Sequence, residues 1–263
     1  MDALQAVLAL ASGSLVGFTL GLVGGGGSVL AVPLLVYLVG ITNPHIAIGT
    51  SAVAVAANAF LNLVNHGRNG NVKWRCAAVF TLAGVLGAVV GAWFGRQMDG
   101  DKLLALFAVL MMVVGGLMLR NRKGEGLPHV TLGRDNFPKL VGFGLATGLL
   151  SGFFGIGGGF LIVPGLVAAT GMPIINAMAS SLLAVTGFGL TTSASYASAG
   201  LVNWAVAAVF VAGGFGGGLI GTRVAQRVGQ KRGALNVLFA GLIFVVAAYM
   251  LTRTLLPLFG SLN

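Results

Sequence analysis

Acidic residues are scarce in this chain, and none lies where membrane chemistry would use one. There are five, Asp2, Asp99, Asp101, Glu125 and Asp135, all near the start or in polar breaks between apolar runs. No Lys interrupts an apolar run either. Buried carboxylates are the usual proton relays and cation ligands of membrane proteins. Their absence argues against a carboxylate-based cation exchanger and an aspartic intramembrane protease, while ion coupling through hydroxyls and carbonyls stays open. Cysteine is nearly missing as well: Cys76 is the only one, so no intrachain disulfide can form. His45, His66 and His129 are scattered, no Cys/His cluster suggests a metal site, and no cofactor is expected. Without paired carboxylates, a metal cluster or a nucleophile–base pair, an enzyme is not expected.

Charge of either sign is sparse. Charged residues make up 8% of the chain, against about 25% in soluble domains, and the mean hydropathy is +0.98. The net charge of +10 would suggest nucleic acid in a soluble protein. Here the basic residues sit at the ends of apolar runs, which assigns them to membrane topology and anionic lipid instead. No nucleic-acid partner is expected. The N-terminus carries Asp2 and no Lys or Arg before the first apolar run, so it reads as a first membrane helix and not as a cleaved signal.

Glycine is abundant, with 44 residues, and it is patterned. Gly17 to Pro33 reads GFTLGLVGGGGSVLAVP, and Gly148 to Pro164 reads GLLSGFFGIGGGFLIVP. Gly17, Gly21, Gly24, Gly26, Gly27 and Pro33 align with Gly148, Gly152, Gly155, Gly157, Gly158 and Pro164. The repeat continues at an offset of 130: Ala47, Thr50, Ser51 and Trp74 match Ala177, Ser180, Ser181 and Trp204. Gly84, Gly87 and Gly91 match Gly214, Gly217 and Gly221 in the same way. A duplicated break in two membrane halves is the sequence pointer to a transporter's binding site.

Apolar runs place helices at Leu4 to Val23, Ser28 to Val39, Ile46 to Val64, Trp74 to Gly95 and Leu103 to Leu119. The second half gives Leu140 to Phe154, Gly159 to Ala169, Ile174 to Ser198, Trp204 to Arg223 and Ala234 to Leu251. The expected domains are a first membrane repeat over 1–120, a cytoplasmic linker over 121–139 and a second repeat over 140–263. Leu4 to Val39 cannot be one straight span, since a helix of that length would reach roughly 54 Å against a hydrocarbon core of about 30 Å. The glycines must break it into two full crossings or a re-entrant hairpin. Each half then holds a broken pair plus three spans, an odd count that inverts the second half. On that reading 12 of the 15 Lys and Arg share one side; counting each glycine stretch as a single crossing splits them nine to six. The positive-inside rule favours the inverted arrangement, with both termini outside. The expected fold is therefore an all-α polytopic membrane protein of two inverted-topology repeats, each a glycine-broken hairpin plus three spans, with 8–10 membrane segments in all.

The candidate substrate-binding residues are Gly24, Gly25, Gly26, Gly27 and Ser28 in the first break and Gly155, Gly157, Gly158 and Gly159 in the second. Each cluster leads into a short helix, whose first N–H groups are unpaired and carry about half a positive charge. Glycine lets a ligand approach such backbone closely, so the two ends together could hold an anion without a basic side chain. The alternative is that the glycines only let helices pack. Thr50, Ser51, Ser180 and Ser181 join the list as hydroxyls at matching places, with interhelical hydrogen bonding as their alternative role. Neither cluster is a nucleotide loop, because no GxxxxGK[ST] or GxGxxG is formed. Asn65, His66 and Arg68 read as a solvated helix end; a gate or pH sensor at His66 is the alternative.

At these residues the chain resembles the sulfite exporter TauE/SafE family of membrane permeases. The likeness lies in GIGGGFLIVP at Gly155 to Pro164, its copy GGGGSVLAVP at Gly24 to Pro33, and the A-x-(G/A)-(T/S)-S elements at Ala47 to Ser51 and Ala177 to Ser181. The first copy departs from the second at Gly25 for Ile156 and at Ser28 for Gly159. The resemblance implies a secondary transporter of a sulfur-containing anion such as sulfite or an organosulfonate, working in the export direction in the bacterial inner membrane. An anion channel and an importer of another small organic anion are the alternatives. Expected partners are that anion, a coupling ion (H+ or Na+) and membrane lipid; a homo-oligomer is left open.

Overall fold

The computed structural model describes residues 2–120, 132–155, 159–228, 241 and 244–248. All regular structure among them is helical. The elements are α1 (Ala3–Val23), a 3-10 turn (Gly24–Leu30), α2 (Ala31–Pro33), a π turn (Leu34–Leu38), α3 (Pro44–Arg68), α4 (Trp74–Gln97) and α5 (Gly100–Arg120). Further along the chain come α6 (Phe137–Phe154), α7 (Gly159–Thr170), α8 (Ile174–Ser198) and α9 (Trp204–Val228). The expected last helix, Ala234 to Leu251, lies mostly outside the described residues. Helix is what an apolar chain must form in lipid, because it satisfies every backbone group internally. Among the described residues six helical stretches are long and apolar enough to cross a membrane, counting Ala3–Leu38 as one.

Expected spans and observed helices agree in place, and most differences are extra turns at polar ends. α3 starts two residues early because Asn43 caps it, accepting from the backbone N–H of His45 at 2.9 Å, with Pro44 in the first turn. α6 starts at Phe137, inside the stretch read as linker.

The sharpest difference is the expected helix Ser28 to Val39. The chain instead winds tightly through the glycines themselves, from Gly24 to Leu30, then widens into a π turn after Pro33. This return arm folds back along α1. A Cβ at Gly27 would run into the backbone of Thr19 and Leu20, and Gln5 donates to the Val39 carbonyl at 3.3 Å. Both ends of the pair therefore lie together.

Glycine stripes set the helix partners. Gly13, Gly17 and Gly21 of α1 meet Phe210, Gly214 and Gly218 of α9 in rising order, so these helices run parallel. Gly144, Gly148 and Gly152 of α6 meet Phe80, Gly84 and Ala88 of α4 in the same way. Small residues let backbones approach to contact where lipid gives no hydrophobic drive. α3 and α8 cross in opposite directions, with Gly49 against Tyr196 and Gly189 against Ala52 and Ala56. Each half thus packs its first helix on the other half's α4 or α9. Phe80 and Phe188, both fully buried, stack at 6.4 Å in the core. Leu82, Leu86, Trp93 and Leu190 are more than half exposed on the outside, as a lipid-facing surface requires.

Candidate functional site

α1 ends because Gly24 adopts φ 68°, ψ −147°, a backbone region essentially closed to other residues. α6 ends at Gly155 in a left-handed cap, φ 67°, ψ 17°, its N–H bonded back to the carbonyls of Ser151 and Gly152 at 2.9 and 3.1 Å. The two glycines insert at matching places in the opposite half. A Cβ on Gly24 would strike the backbone of Met178, and one on Gly155 would strike Ile48. Met178 and Ile48 are themselves repeat counterparts.

The breaks also meet each other. A Cβ on Gly159, the first residue of α7, would collide with the Gly25 carbonyl. The Gly25 N–H donates to Ser181 Oγ at 2.9 Å, and that hydroxyl donates to the Met178 carbonyl at 2.7 Å. Ser28 Oγ donates to the Gly25 carbonyl at 2.9 Å, and Ser51 Oγ to the Ile48 carbonyl at 2.8 Å. Gly26 and Gly27 are buried in the same tight turn. So Gly25, Ser28, Gly159 and Ser181 come together, with Gly24, Ser51 and Gly155 beside them. Gly157 and Gly158 lie outside the described residues.

Thr50 and Ser180 are placed differently. Thr50 Oγ1 accepts from the Asn203 N–H and Ser180 Oγ from the Lys73 N–H, both at 2.9 Å. Each hydroxyl holds the residue just before α9 or α4, which belongs to the other half. All five candidate hydroxyls are fully buried. Among the described residues, the groups that hydrogen-bond at the two breaks are backbone and hydroxyl, so the described site carries no formal charge. An outward-facing apolar groove of about 580 Å³ between α4 and α6 lies elsewhere, lined by Leu86, Val90, Leu145 and Leu149.

A second polar cluster runs along α3 next to the first break. Asn58, Asn62 and His66 recur every fourth residue, which puts them on one face of the helix. Asn62 Nδ2 donates to the Asn58 carbonyl at 2.9 Å, and Thr222 of α9 donates to Asn62 Oδ1 at 3.1 Å. His66 Nε2 lies 3.1 Å from the Gly21 carbonyl, in the last turn before the break. Asn58 is fully buried with neither amide atom partnered. The reading of His66 as a solvated helix end is therefore corrected: it is 3% exposed. It sits in the last turn of α3, but α1 covers it. The four-residue spacing was the available signal; it could not tell which neighbour covers that face.

Comparisons with known proteins agree in kind. The family model for "Sulfite exporter TauE/SafE" matches residues 9–250. A Xylella fastidiosa protein named "Probable membrane transporter protein" is 52% identical, covering 94% of this chain and 95% of its own length. "Probable membrane transporter protein YunE" of Bacillus subtilis is 26% identical, covering 86% and 90%. No solved structure matches.

Proposed function

Because the chain belongs to the sulfite exporter TauE/SafE family, we propose that it is a secondary transporter of a small sulfur-containing anion, sulfite or an organosulfonate, exported by alternating access. Family and helix composition make it a multi-pass membrane transporter. In this reading residues 1–120 and 140–263 are inverted repeats joined by a cytoplasmic linker over 121–139. The parallel pairs α1/α9 and α4/α6 and the opposed α3 and α8 support that relation. The anion is held where the two breaks meet, by backbone donors of Gly24 to Ser28 and of Gly155 and Gly157 to Gly159, with Ser51 and Ser181 beside them. Thr50 and Ser180 act by tethering the opposite half.

One observation carries the site: the Gly25 N–H is satisfied across the interface by the oxygen of Ser181. That hydroxyl stands where an anion oxygen would bind, so a ligand can replace it without opening a fresh unpaired donor. The end bearing Arg68, Lys73, Arg75, Arg223 and Arg227 faces the cytoplasm of a bacterial cell, and both termini lie outside. An anion then leaves down the inside-negative potential.

Proteoliposomes loaded with labelled sulfite, sulfoacetate or taurine test this. Protein-dependent, saturable flux with counterflow is expected for at least one sulfur oxyanion; ohmic single-channel currents would indicate a pore instead. Sulfoacetate at one hundred times its Kd should stabilise the purified protein by about 2.7 kcal/mol. Ser181→Ala removes the oxygen that competes for the Gly25 N–H and should enlarge that shift. The reading fails if active preparations move none of these anions.

A further inference from the structure

His66 is a titratable side chain enclosed by the helices that carry the first break, and the transport reading gives it no task. Its Nε2 faces the Gly21 carbonyl at 3.1 Å. A carbonyl only accepts, so Nε2 must carry a hydrogen. Nδ1 of the neutral ring is then a lone pair, and it is buried with no partner among the described residues. Gly21 lies three residues before Gly24, about 4.5 Å along the helix. In an unbroken helix its carbonyl would take the N–H of Gly25; that N–H points instead at Ser181 Oγ. The two backbone groups parted by the break are thus taken up by two side chains, His66 on the carbonyl and Ser181 on the amide.

We propose that His66 Nδ1 is the binding site for a proton that travels with the anion. Proton uptake at Nδ1 keeps the Nε2–H bond to Gly21 and places a cation at the C-terminal end of α1, where the helix dipole favours it. It also places positive charge one turn from the neutral anion site. The neighbours do not compensate that charge. α1 brings no titratable side chain to the contact, its nearest being Asp2 before the far end. α9, packed alongside through Thr222, adds exposed Arg223 and Arg227. Arg68 on α3 is exposed, and Lys73 and Arg75 flank Trp74, which lies over Gly67. Asp135, at the same end of the molecule, precedes α6. With no carboxylate in contact with it among the described residues, the ring holds its proton best when an anion sits in the break, which is the coupling. A divalent anion with one proton still carries net negative charge, so export down the potential is preserved.

The inference rests on the transport reading, and two measurements separate them. In 15N-histidine-labelled protein in detergent, assigned with His66→Gln, the ring should be the Nε2–H tautomer at high pH. It should gain a proton at Nδ1 as the pH is lowered, and at a higher pH with sulfoacetate present than without it. A His66 ring that stays neutral down to the pH at which the protein unfolds overturns the proposal whether or not the protein transports. In voltage-clamped proteoliposomes, a one-unit pH gradient should concentrate sulfoacetate about tenfold on the alkaline side at one-to-one coupling. His66→Gln keeps a donor for Gly21 but cannot take the proton. It should retain counterflow at equal pH and lose the pH-driven accumulation. A folded His66→Gln protein that accumulates like the wild type overturns the proposal, as does accumulation that follows a Na+ gradient only. No oxyanion flux by the wild type counts against the transport reading, and the ring titration then decides the proton site alone.

Discussion

The two halves differ most where their backbones match best. Asn58 on α3 lies against Gly214 of α9, and its counterpart Phe188 on α8 lies against Gly84 of α4. Four residues on, Asn62 bonds to Thr222 while its counterpart Thr192 has a buried, unpartnered hydroxyl. One turn further, His66 has Tyr196 as its counterpart. The first half therefore lines its helix contact with amides and an imidazole, and the second fills the same contact with aromatic rings. A duplicated scaffold fixes where groups stand; it leaves what they are free to diverge. On these matched faces only the first half carries an imidazole.

The largest effect should come from breaking the shared part. Gly17→Leu and Gly148→Leu each drive a side chain into the backbone of Gly214 or Gly84. Both should cost about 3 kcal/mol or more, seen as loss of monodisperse protein in detergent. If one is tolerated and the other is not, the two helix pairs are not equivalent.

Next comes the divergent pair. Phe188→Ala empties a fully buried site and should lower stability by about 3 kcal/mol. Asn58→Leu removes an unpartnered amide of similar volume and should raise stability by about 1 kcal/mol. Thermal unfolding of both variants reads the sign. Equal destabilisation would mean that Asn58 is as well satisfied as Phe188, and the contrast would fall.

The smallest effect tests the tethers. Thr50→Val and Ser180→Ala each strand one backbone N–H, at Asn203 and Lys73. Each should lower stability by about 1 kcal/mol, and by the same amount within error. A clear inequality in their unfolding midpoints would show that the two crossings carry different loads.

Much of the fold was legible because membrane insertion is a blunt constraint. The span Ile174 to Ser198 was placed without error, and others missed by a turn where caps such as Asn43 act outside the apolar run. Length required a break, and the duplicated glycine cluster placed it at Gly24 to Gly27. The form of the return arm did not, since polyglycine has no pattern that separates a 3-10 turn from an unwound loop. Within the site, duplication singled out Ser181 and Ser180 equally. Only their neighbours separate them: one hydroxyl reaches the break and its neighbour on the helix faces the far loop. His66 was misjudged because polar flanks at a helix end look the same whether water or another helix covers them.

The sequence by itself determined a membrane chain of two related halves, each broken at its glycines, with no carboxylate to hold a cation. Hydrophobic length, charge placement and repeat spacing are local properties, and they suffice for that. The tertiary structure decided that the breaks touch, that each half clasps the other's helices, and that a buried histidine takes the carbonyl at the end of α1. Those are contacts between residues far apart in the chain, and they depend on helix directions and rotations that no local pattern encodes.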